Sequence, residues 1–409
     1  MTSLADSVLP LIRTRADVWR WNIANGHGAR MHEAVAILRQ AAEDHEPAEV
    51  FAVTQRAIAS ALKVIMRADD SSGIIGDACR DLLELHASVA AQARPAAAKL
   101  VDWMVKFQFD DECDYFTIDP VAYAPALGER GMASYRAKLD ARAADLGPRP
   151  SEDQRFSVPN SHAWFVLEWN AQRLAVLDRD VDAIIRTHAR DRRVAAWLQD
   201  TAVALLEIGE VDAAIDWAKQ ATDFNEGHQS RRAADYWCEL LAVHRPDELL
   251  AARIAVFRHW PSSSTAGRLY QDASAAWPEY EEEVTERLAE RPSDAVLFAQ
   301  LYLKDIPYAW SLARSLGLDD DRIWSDLGKS YEKLDPLAVL PVYTELVERE
   351  LAVADARNYR SAARRLKKMR KLAAGSPEEE EVAEFIADLR ERNRRRPRLQ
   401  LEFDRAGLP

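Results

Sequence analysis

The stretch that decides the fold lies near the C-terminus. It reads LDPLAVLPVY at 334–343 and ARNYRSAARRLKKMRKL at 356–372. In the second segment apolar residues recur every three or four positions, which predicts a helix that begins near Asp355 and ends at Gly375. The apolar face of this predicted helix consists of Tyr359, Ala362, Ala363, Leu366, Met369 and Ala373.

Basic residues occupy the other side of the same helix, within roughly a quarter turn at 100° per residue. We call them the basic stripe, the candidate partner-binding face: Arg357, Arg360, Arg364, Lys367, Lys368 and Lys371. The alternative is an ordinary solvated face, or one that pairs within the chain. The acidic candidates for such pairing are Glu345, Glu348, Glu350 and the run 281–283.

Both neighbours of this helix carry their own start signals. Asp335 and Pro336 suit the cap and first position of a preceding helix, although Pro341 either kinks it or marks a later start. After Gly375, Ser376 suits a helix cap, and the glutamates at 378–381 suit an acidic first turn.

The composition is that of a folded, helix-rich protein. The chain has 409 residues, 48% of them hydrophobic and 30% charged, with few glycines. Its net charge of −13 disfavours a protein that coats nucleic acid over its whole surface. Three widely separated cysteines and the lack of a signal-like or membrane-spanning run favour a cytoplasmic protein that does not contact a membrane.

Helical pairs succeed one another along the chain. Residues 7–24 predict a first helix, 25–28 (Asn-Gly-His-Gly) a turn, and 69–73 a capped break between helices. Pairs of helices spaced roughly 30 to 40 residues apart are typical of repeat proteins. They are predicted at 163–177 with 180–188, 194–208 with 211–224, 231–243 with 246–258, 265–275 with 278–290, and 294–302 with 306–316.

The pair at 194–224 resembles a tetratricopeptide repeat (TPR). Gly209, Ala214 and Ala221 match its turn glycine and small packing positions, and Trp217 lies one residue before the usual aromatic position. Such pairs bury their apolar faces only by stacking, so the sequence predicts an all-α, TPR-like α-solenoid. Its predicted parts are an N-terminal helical domain at 1–145, a Pro/Gly-rich linker at 146–160, repeats at 161–374, and a C-terminal helix and tail at 375–409.

No catalytic or metal motif withstands inspection. The acidic loop at 69–73 lacks the alternating ligands of an EF-hand, and His32-Glu33 lacks a second histidine. Asp110, Asp111, Glu112, Cys113 and Asp114 are too nearly consecutive to converge on an ion without partners elsewhere. His86 and His188 lie in predicted helices and suit core or surface positions. We therefore expect no cofactor, no metal site and no enzymatic activity.

A family resemblance is carried by the segments at 68–77, 85–86, 93–95, 119–123, 127–131, 177–184, 335–343, 359–372, 394–397 and 406–408. Through these segments, nearly the whole chain resembles the helical region that accompanies SWIM zinc fingers in bacterial proteins, and related stand-alone proteins of unknown function. This resemblance implies an all-helical repeat fold and leaves the biochemical role open. The Cys-x-Cys and Cys-x-His zinc ligands of the finger are absent from the sequence, so its zinc site does not carry over.

Three functions from different classes remain open, of which an unrecognised enzyme or small-ligand sensor is the third and has no motif behind it. A non-enzymatic scaffold or adaptor that binds another protein is the first, because stacked helical pairs present extended surfaces. Binding of nucleic acid or of an acidic partner through the basic C-terminal helices is the second. It is favoured by the basic stripe and by the arginines that follow it: Arg390, Arg392, Arg394, Arg395, Arg396 and Arg398.

Overall fold

The computed structural model describes residues 3–109, 115–151, 153–154, 157–158 and 160–409. Over these residues the chain is all-helical, with twenty-one α-helices and no strand, which confirms the all-α part of the predicted fold. The described chain divides into two compact units, one ending at Ala221 and the other beginning at Thr222. The predicted four-part division, with its linker at 146–160, stays a prediction.

The first unit contains ten helices among its described residues. They are Leu4–Ile12 (α1), Trp21–Asp44 (α2), Pro47–Ile65 (α3), Ile74–Ala93 (α4), Ala97–Phe109 (α5), Pro120–Leu146 (α6), Ser161–Leu177 (α7), Val181–His188 (α8), Ala195–Glu207 (α9) and Val211–Thr222 (α10).

The turn predicted at residues 25–28 is wrong, because α2 runs straight through both glycines. Gly28 is buried where α2 meets the start of α4, and a Cβ built on it would lie 2.5 Å from Cγ2 of Ile74. The glycine therefore permits a close approach of two helices and is not a chain reversal. The predicted break at 69–73 is confirmed: the Asp70 carboxylate accepts hydrogen bonds from the backbone N–H groups of Ile75 and Gly76.

The predicted local features of the pair at 194–224 are present in α9 and α10. Gly209 has φ +85° in the turn between them, and Ala214, Trp217 and Ala221 are buried. The left-handed turn needs glycine, and small residues let the two helices approach each other closely. The helices of the pairs predicted at 163–188, 231–258 and 294–316 also pack against each other. The two helices of the pair predicted at 265–290 instead pack mainly on the helix that begins at Pro292.

The second unit holds the other eleven helices. They are His228–His244 (α11), Pro246–His259 (α12), Ser263–Ala273 (α13), Glu281–Ala289 (α14), Pro292–Phe298 (α15), Ile306–Ser315 (α16), Asp321–Tyr331 (α17), Leu340–Ala352 (α18), Ala356–Ala373 (α19), Glu378–Arg392 (α20) and Pro397–Ala406 (α21). A 3-10 turn, Ser274–Glu279, precedes α14, and a π-helical turn, Ala299–Leu303, follows α15.

Within the second unit, most helices pack against the next one or two in sequence. The last core is built from the apolar faces of α15 to α21, with Tyr343, Leu366 and Phe403 fully buried in it. Of the two starts left open for the preceding helix, the later one holds, because α18 begins at Leu340 with Pro341 in its first turn. Asp335 instead caps a short turn through its bonds to the N–H groups of Leu337 and Ala338.

Candidate functional site

Helix α19 carries the basic stripe, and its construction follows from its sequence. The Asp355 carboxylate accepts hydrogen bonds from the N–H groups of Arg357, at 2.7 Å, and Asn358. These bonds lower the pKa of Asp355, as expected when backbone donors stabilise a carboxylate. The six predicted apolar residues are the six buried ones, and Gly375 ends the segment with φ +77°. The cationic side of α19 is therefore the side that faces away from the core.

Helix α21 lies beside α19 and runs in the same direction. At their C-terminal ends, the Arg370 guanidinium donates to the Gly407 carbonyl at 2.6 Å. Near the other end, Arg396, which precedes α21, donates to the Leu351 carbonyl, a few residues before α19. Phe403 and Leu399 are fully buried and fix α21 to the core. Two parallel helices thus form the walls of a surface groove.

This basic groove has a volume of about 550 Å³. Four members of the basic stripe line its α19 side, and α21 adds Arg405 on the other side. The floor carries two small residues, Ala363 and Ala406. The lining residues are Arg357, Arg360, Ala363, Arg364, Lys367, Glu402, Arg405 and Ala406.

The six members of the basic stripe have three different kinds of surroundings. Lys368 is paired, with its Nζ 2.6 Å from a carboxylate oxygen of Glu332, and it does not line the groove. Lys371 is exposed beyond the groove. The four lining members, Arg357, Arg360, Arg364 and Lys367, are exposed, and no carboxylate among the described residues lies within ion-pair distance of them. Their nearest polar contacts are internal, such as the Arg364 Nε bond to the Arg360 carbonyl.

Three of the six acidic residues considered as partners for the stripe are engaged elsewhere. Glu350 binds Arg365 at 2.9 Å and Glu348 binds Arg392 at 2.6 Å. Glu283 holds Arg258, and these bonds lower the pKa of the Glu283 carboxyl. Among the described residues, pairing therefore neutralises Lys368 alone of the six, and its partner is a carboxylate that the sequence did not suggest.

A buried polar layer supports α19 from beneath. Arg365, which is 13% exposed, binds Glu350 and lies over the Tyr343 ring. The Tyr343 hydroxyl donates to Glu332 at 2.8 Å, and burial followed by this carboxylate raises the pKa of Tyr343. Glu332 in turn holds Lys368. These contacts orient one side of α19 toward α17 and α18 and leave the other side facing the groove.

The arginines after the stripe mostly pair locally. Arg390 binds Asp404 at 2.7 Å, and Arg392 binds both Glu348 and Asp388. Arg394 pairs with Glu391 in the adjacent turn. Arg395 and Arg398 are exposed. This set therefore serves mainly to tie the C-terminal helices together.

Sequence reasoning missed Arg405 and Glu402, the residues of the opposite wall. Arg405 Nη1 lies 3.0 Å from Glu402, so the wall carries one cation held by one carboxylate. The signal available was the spacing of 402, 405 and 406, which places these residues on one side of a helix. Nothing in that local pattern shows that the helix packs beside a stripe some forty positions earlier.

The described residues also line cavities away from the basic groove. One of about 600 Å³ in the first unit is lined by α4 and by residues 115–123, including Arg80, Glu84 and Asp119. The acidic loop of Asp110, Asp111, Glu112, Cys113 and Asp114 lies outside the described residues. A polar cavity of about 410 Å³ in the second unit surrounds the serines at 262–264, near Arg231 and Arg291.

His86 and His188, the two histidines expected at core or surface positions, both lie in the core. His86 is fully buried, and its Nδ1 lies 2.9 Å from the Tyr123 hydroxyl. His188 is buried with Nδ1 3.0 Å from the Ile184 carbonyl. In the part of the chain that the structure describes, no three His, Cys, Asp or Glu side chains gather as metal ligands. None of the described helices combines the length and apolar character needed to cross a membrane.

Together these features define an all-helical protein with a basic groove between two parallel C-terminal helices. The chain belongs to the family of unknown function DUF6880, whose model matches residues 11–397. No curated protein matches it.

Proposed function

We propose that this protein is a non-enzymatic scaffold or adaptor that binds an acidic segment of another protein in the basic groove. In this proposal the helical pairs stack as a TPR-like α-solenoid and hold the groove rigidly. The widely separated cysteines favour a cytoplasmic location. A bacterial origin and a relation to the helical region of SWIM proteins remain part of the same proposal.

The observation that carries it is the set of unneutralised cations on one wall. Arg357, Arg360, Arg364 and Lys367 line a common groove, and none of them meets a carboxylate of the described chain. An exposed ion pair contributes about 0–1 kcal/mol by itself, but several cations held on one rigid surface act together on a multivalent anion. Most other basic side chains of α19 and α20 already have partners. An acidic ligand therefore gains the most binding free energy in the groove.

The groove fits an acidic protein segment better than it fits nucleic acid. None of its lining residues is aromatic, whereas proteins that bind single strands stack bases on aromatic rings. Glu402 stands in the opposite wall, where it would meet a phosphate backbone that is charged on every side, whereas a protein segment can carry its carboxylates on the α19 side alone. The chain also carries a net charge of −13, which opposes a long polyanion such as a duplex.

Fluorescence anisotropy tests the proposal directly. The intact protein is titrated against labelled polyglutamate, a short DNA duplex and a single-stranded RNA, at several salt concentrations. The groove variant carries Arg360→Ala, Arg364→Ala and Lys367→Ala. The matched control carries Lys99→Ala, Lys106→Ala and Arg130→Ala, which removes the same charge from exposed positions in the first unit.

We expect polyglutamate to bind the wild type and the control alike, and the groove variant at least about tenfold more weakly, a loss of about 1.4 kcal/mol. Equal weakening in the groove variant and the control would mean that overall charge, not the groove, drives binding. Sub-micromolar duplex or RNA binding at about 150 mM salt, with a log–log salt slope that falls by about three in the groove variant, would replace this proposal with nucleic-acid binding.

A further inference from the structure

We infer that the acidic segment which binds the groove is an amphipathic α-helix, with carboxylates on its flanks and a small apolar stripe against the floor. This inference rests on the proposed function and names the form of its partner. It follows from the spacing of the cations and the composition of the groove floor, and from the charge of the two walls.

The cations on α19 repeat at the pitch of a helix. Arg357, Arg360, Arg364 and Lys367 are separated by steps of three, four and three residues. At 1.5 Å per residue, the four positions span about 15 Å along α19. A partner helix places carboxylates at i, i+3, i+7 and i+10 over the same distance.

An extended peptide does not match this repeat. Side chains on one face of a strand are about 6.6 Å apart, so four of them span about 20 Å. The mismatch accumulates to about 5 Å over four cations, which is a full helical turn. A helical partner can therefore pair with all four cations at once, whereas an extended one moves out of register by the last.

The floor of the groove admits a helix because its residues are small. Ala363 is 3% exposed and Ala406 is half-buried, and both line the groove. Alanines on facing helices let the axes approach closely, and the partner's apolar side chains then fill the space between the walls. Burial of a few methylene groups there adds a hydrophobic contribution to the charge pairing.

The two walls differ in charge, which sets the pattern of the partner. The α19 wall carries four cations without carboxylates, while the α21 wall carries Arg405 held by Glu402 at 3.0 Å. Carboxylates on the partner are therefore needed mainly along its α19 side. On the α21 side a single acidic residue is enough, since it shares Arg405 with Glu402.

Three 16-residue peptides of identical composition test the inference, each labelled for anisotropy. The first places glutamates at i, i+3, i+7 and i+10 beside a Leu/Ala stripe. The second distributes the same residues around the helix. The third is a cyclised, non-helical form of the first, and circular dichroism verifies the helicity of all three. Polyglutamate with the groove variant serves as the reference for the proposed function.

We expect the registered helix to bind at least about tenfold more tightly than the other two, a difference of about 1.4 kcal/mol. Equal affinity of all three peptides, while polyglutamate still binds wild type and not the groove variant, would overturn the helical inference and leave the proposed function standing. Failure of every peptide and of polyglutamate would refute the proposed function itself.

A substitution that fills the groove floor without changing its charge gives a second test. Ala406→Met places a long side chain in the groove, and Ala387→Met, on the exposed side of α20, is its matched control. We expect Ala406→Met to weaken the registered helix at least about tenfold, or about 1.4 kcal/mol, and to leave flexible polyglutamate nearly unchanged. Equal weakening of both ligands, or of neither, would contradict a helix seated on that floor.

Discussion

The buried ring of His86 makes the stability of the first unit depend on pH. The ring is fully buried, stacked on Phe51 with centroids 4.3 Å apart, and packed against Trp103 at 4.4 Å. Its Nδ1 lies 2.9 Å from the Tyr123 hydroxyl, and its buried Nε2 has no hydrogen-bond partner among the described residues. A second proton on the ring would create a buried charge beside the unpaired Nε2, so burial lowers the pKa of His86 to about 3.

The sign and size of the pH dependence follow from the difference between the pKa of His86 in the folded protein and in the unfolded chain. Between pH 6.5 and about 3 the unfolded chain binds a proton at His86 that the native protein excludes. Stability contributed by the neutral ring is therefore complete above pH 6.5 and is lost as pH falls toward 3. At about 1.4 kcal/mol per pH unit, the free energy of unfolding falls by up to about 5 kcal/mol from this residue alone.

Urea titrations at pH 7, 6, 5 and 4 measure this, on the wild type and on His86→Gln. Glutamine keeps a polar group for Tyr123 and does not titrate, and other acid-sensitive residues such as His27 and His188 are common to both proteins. We expect the wild type to lose about 1.4 kcal/mol more per pH unit than the variant below pH 6. Parallel pH profiles for the two proteins would refute the reasoning.

Three other perturbations have defined outcomes. Gly28→Ala should lower the free energy of unfolding by about 1–3 kcal/mol in urea, because the added methyl meets Ile74, and Ile74→Ala in the same chain should restore part of the loss. Arg173→Met should lower the free energy of unfolding by about 1–3 kcal/mol, because Arg173 bridges Asp119 and Glu207 at 2.8 and 2.7 Å. Arg173→Lys should lower it less, and a Met variant as stable as the wild type would contradict this expectation. EDTA should leave the Tm unchanged, because the sequence offers no closed set of Cys and His ligands; a drop that zinc or calcium reverses would contradict that expectation.

Local periodicity predicted the helices well and their surroundings less well. The buried face of α19 matches the predicted one residue for residue, because a 3.6-residue period with few breaks has only one apolar side. The glycines at 26 and 28 were misassigned as a turn. In sequence, a glycine that reverses the chain and a glycine that lets two helices touch look alike; the contact with Ile74 distinguishes them only in the folded chain.

Only one of the two walls of the basic groove could be predicted from the sequence. The α19 wall is a local pattern, so its four groove cations were identified from sequence. The partner of Lys368 was not, because Glu332 reaches it only through the packing of α17 on α18 and of α18 on α19. Arg405 was missed for the same reason: a wall formed by a second helix depends on tertiary contacts that local charge spacing does not encode.

A charge-swap cycle tests the central claim most directly. Arg360→Glu, Arg364→Glu and Lys367→Glu reverse the α19 wall, and the registered peptide is made in a second form with lysine in place of each glutamate. Anisotropy at about 150 mM salt should show the acidic peptide binding only the wild type and the basic peptide only the reversed protein, with a coupling free energy above about 1.5 kcal/mol. Acidic-peptide affinity that is unchanged by the reversal, in a variant that remains folded, would contradict binding at this groove.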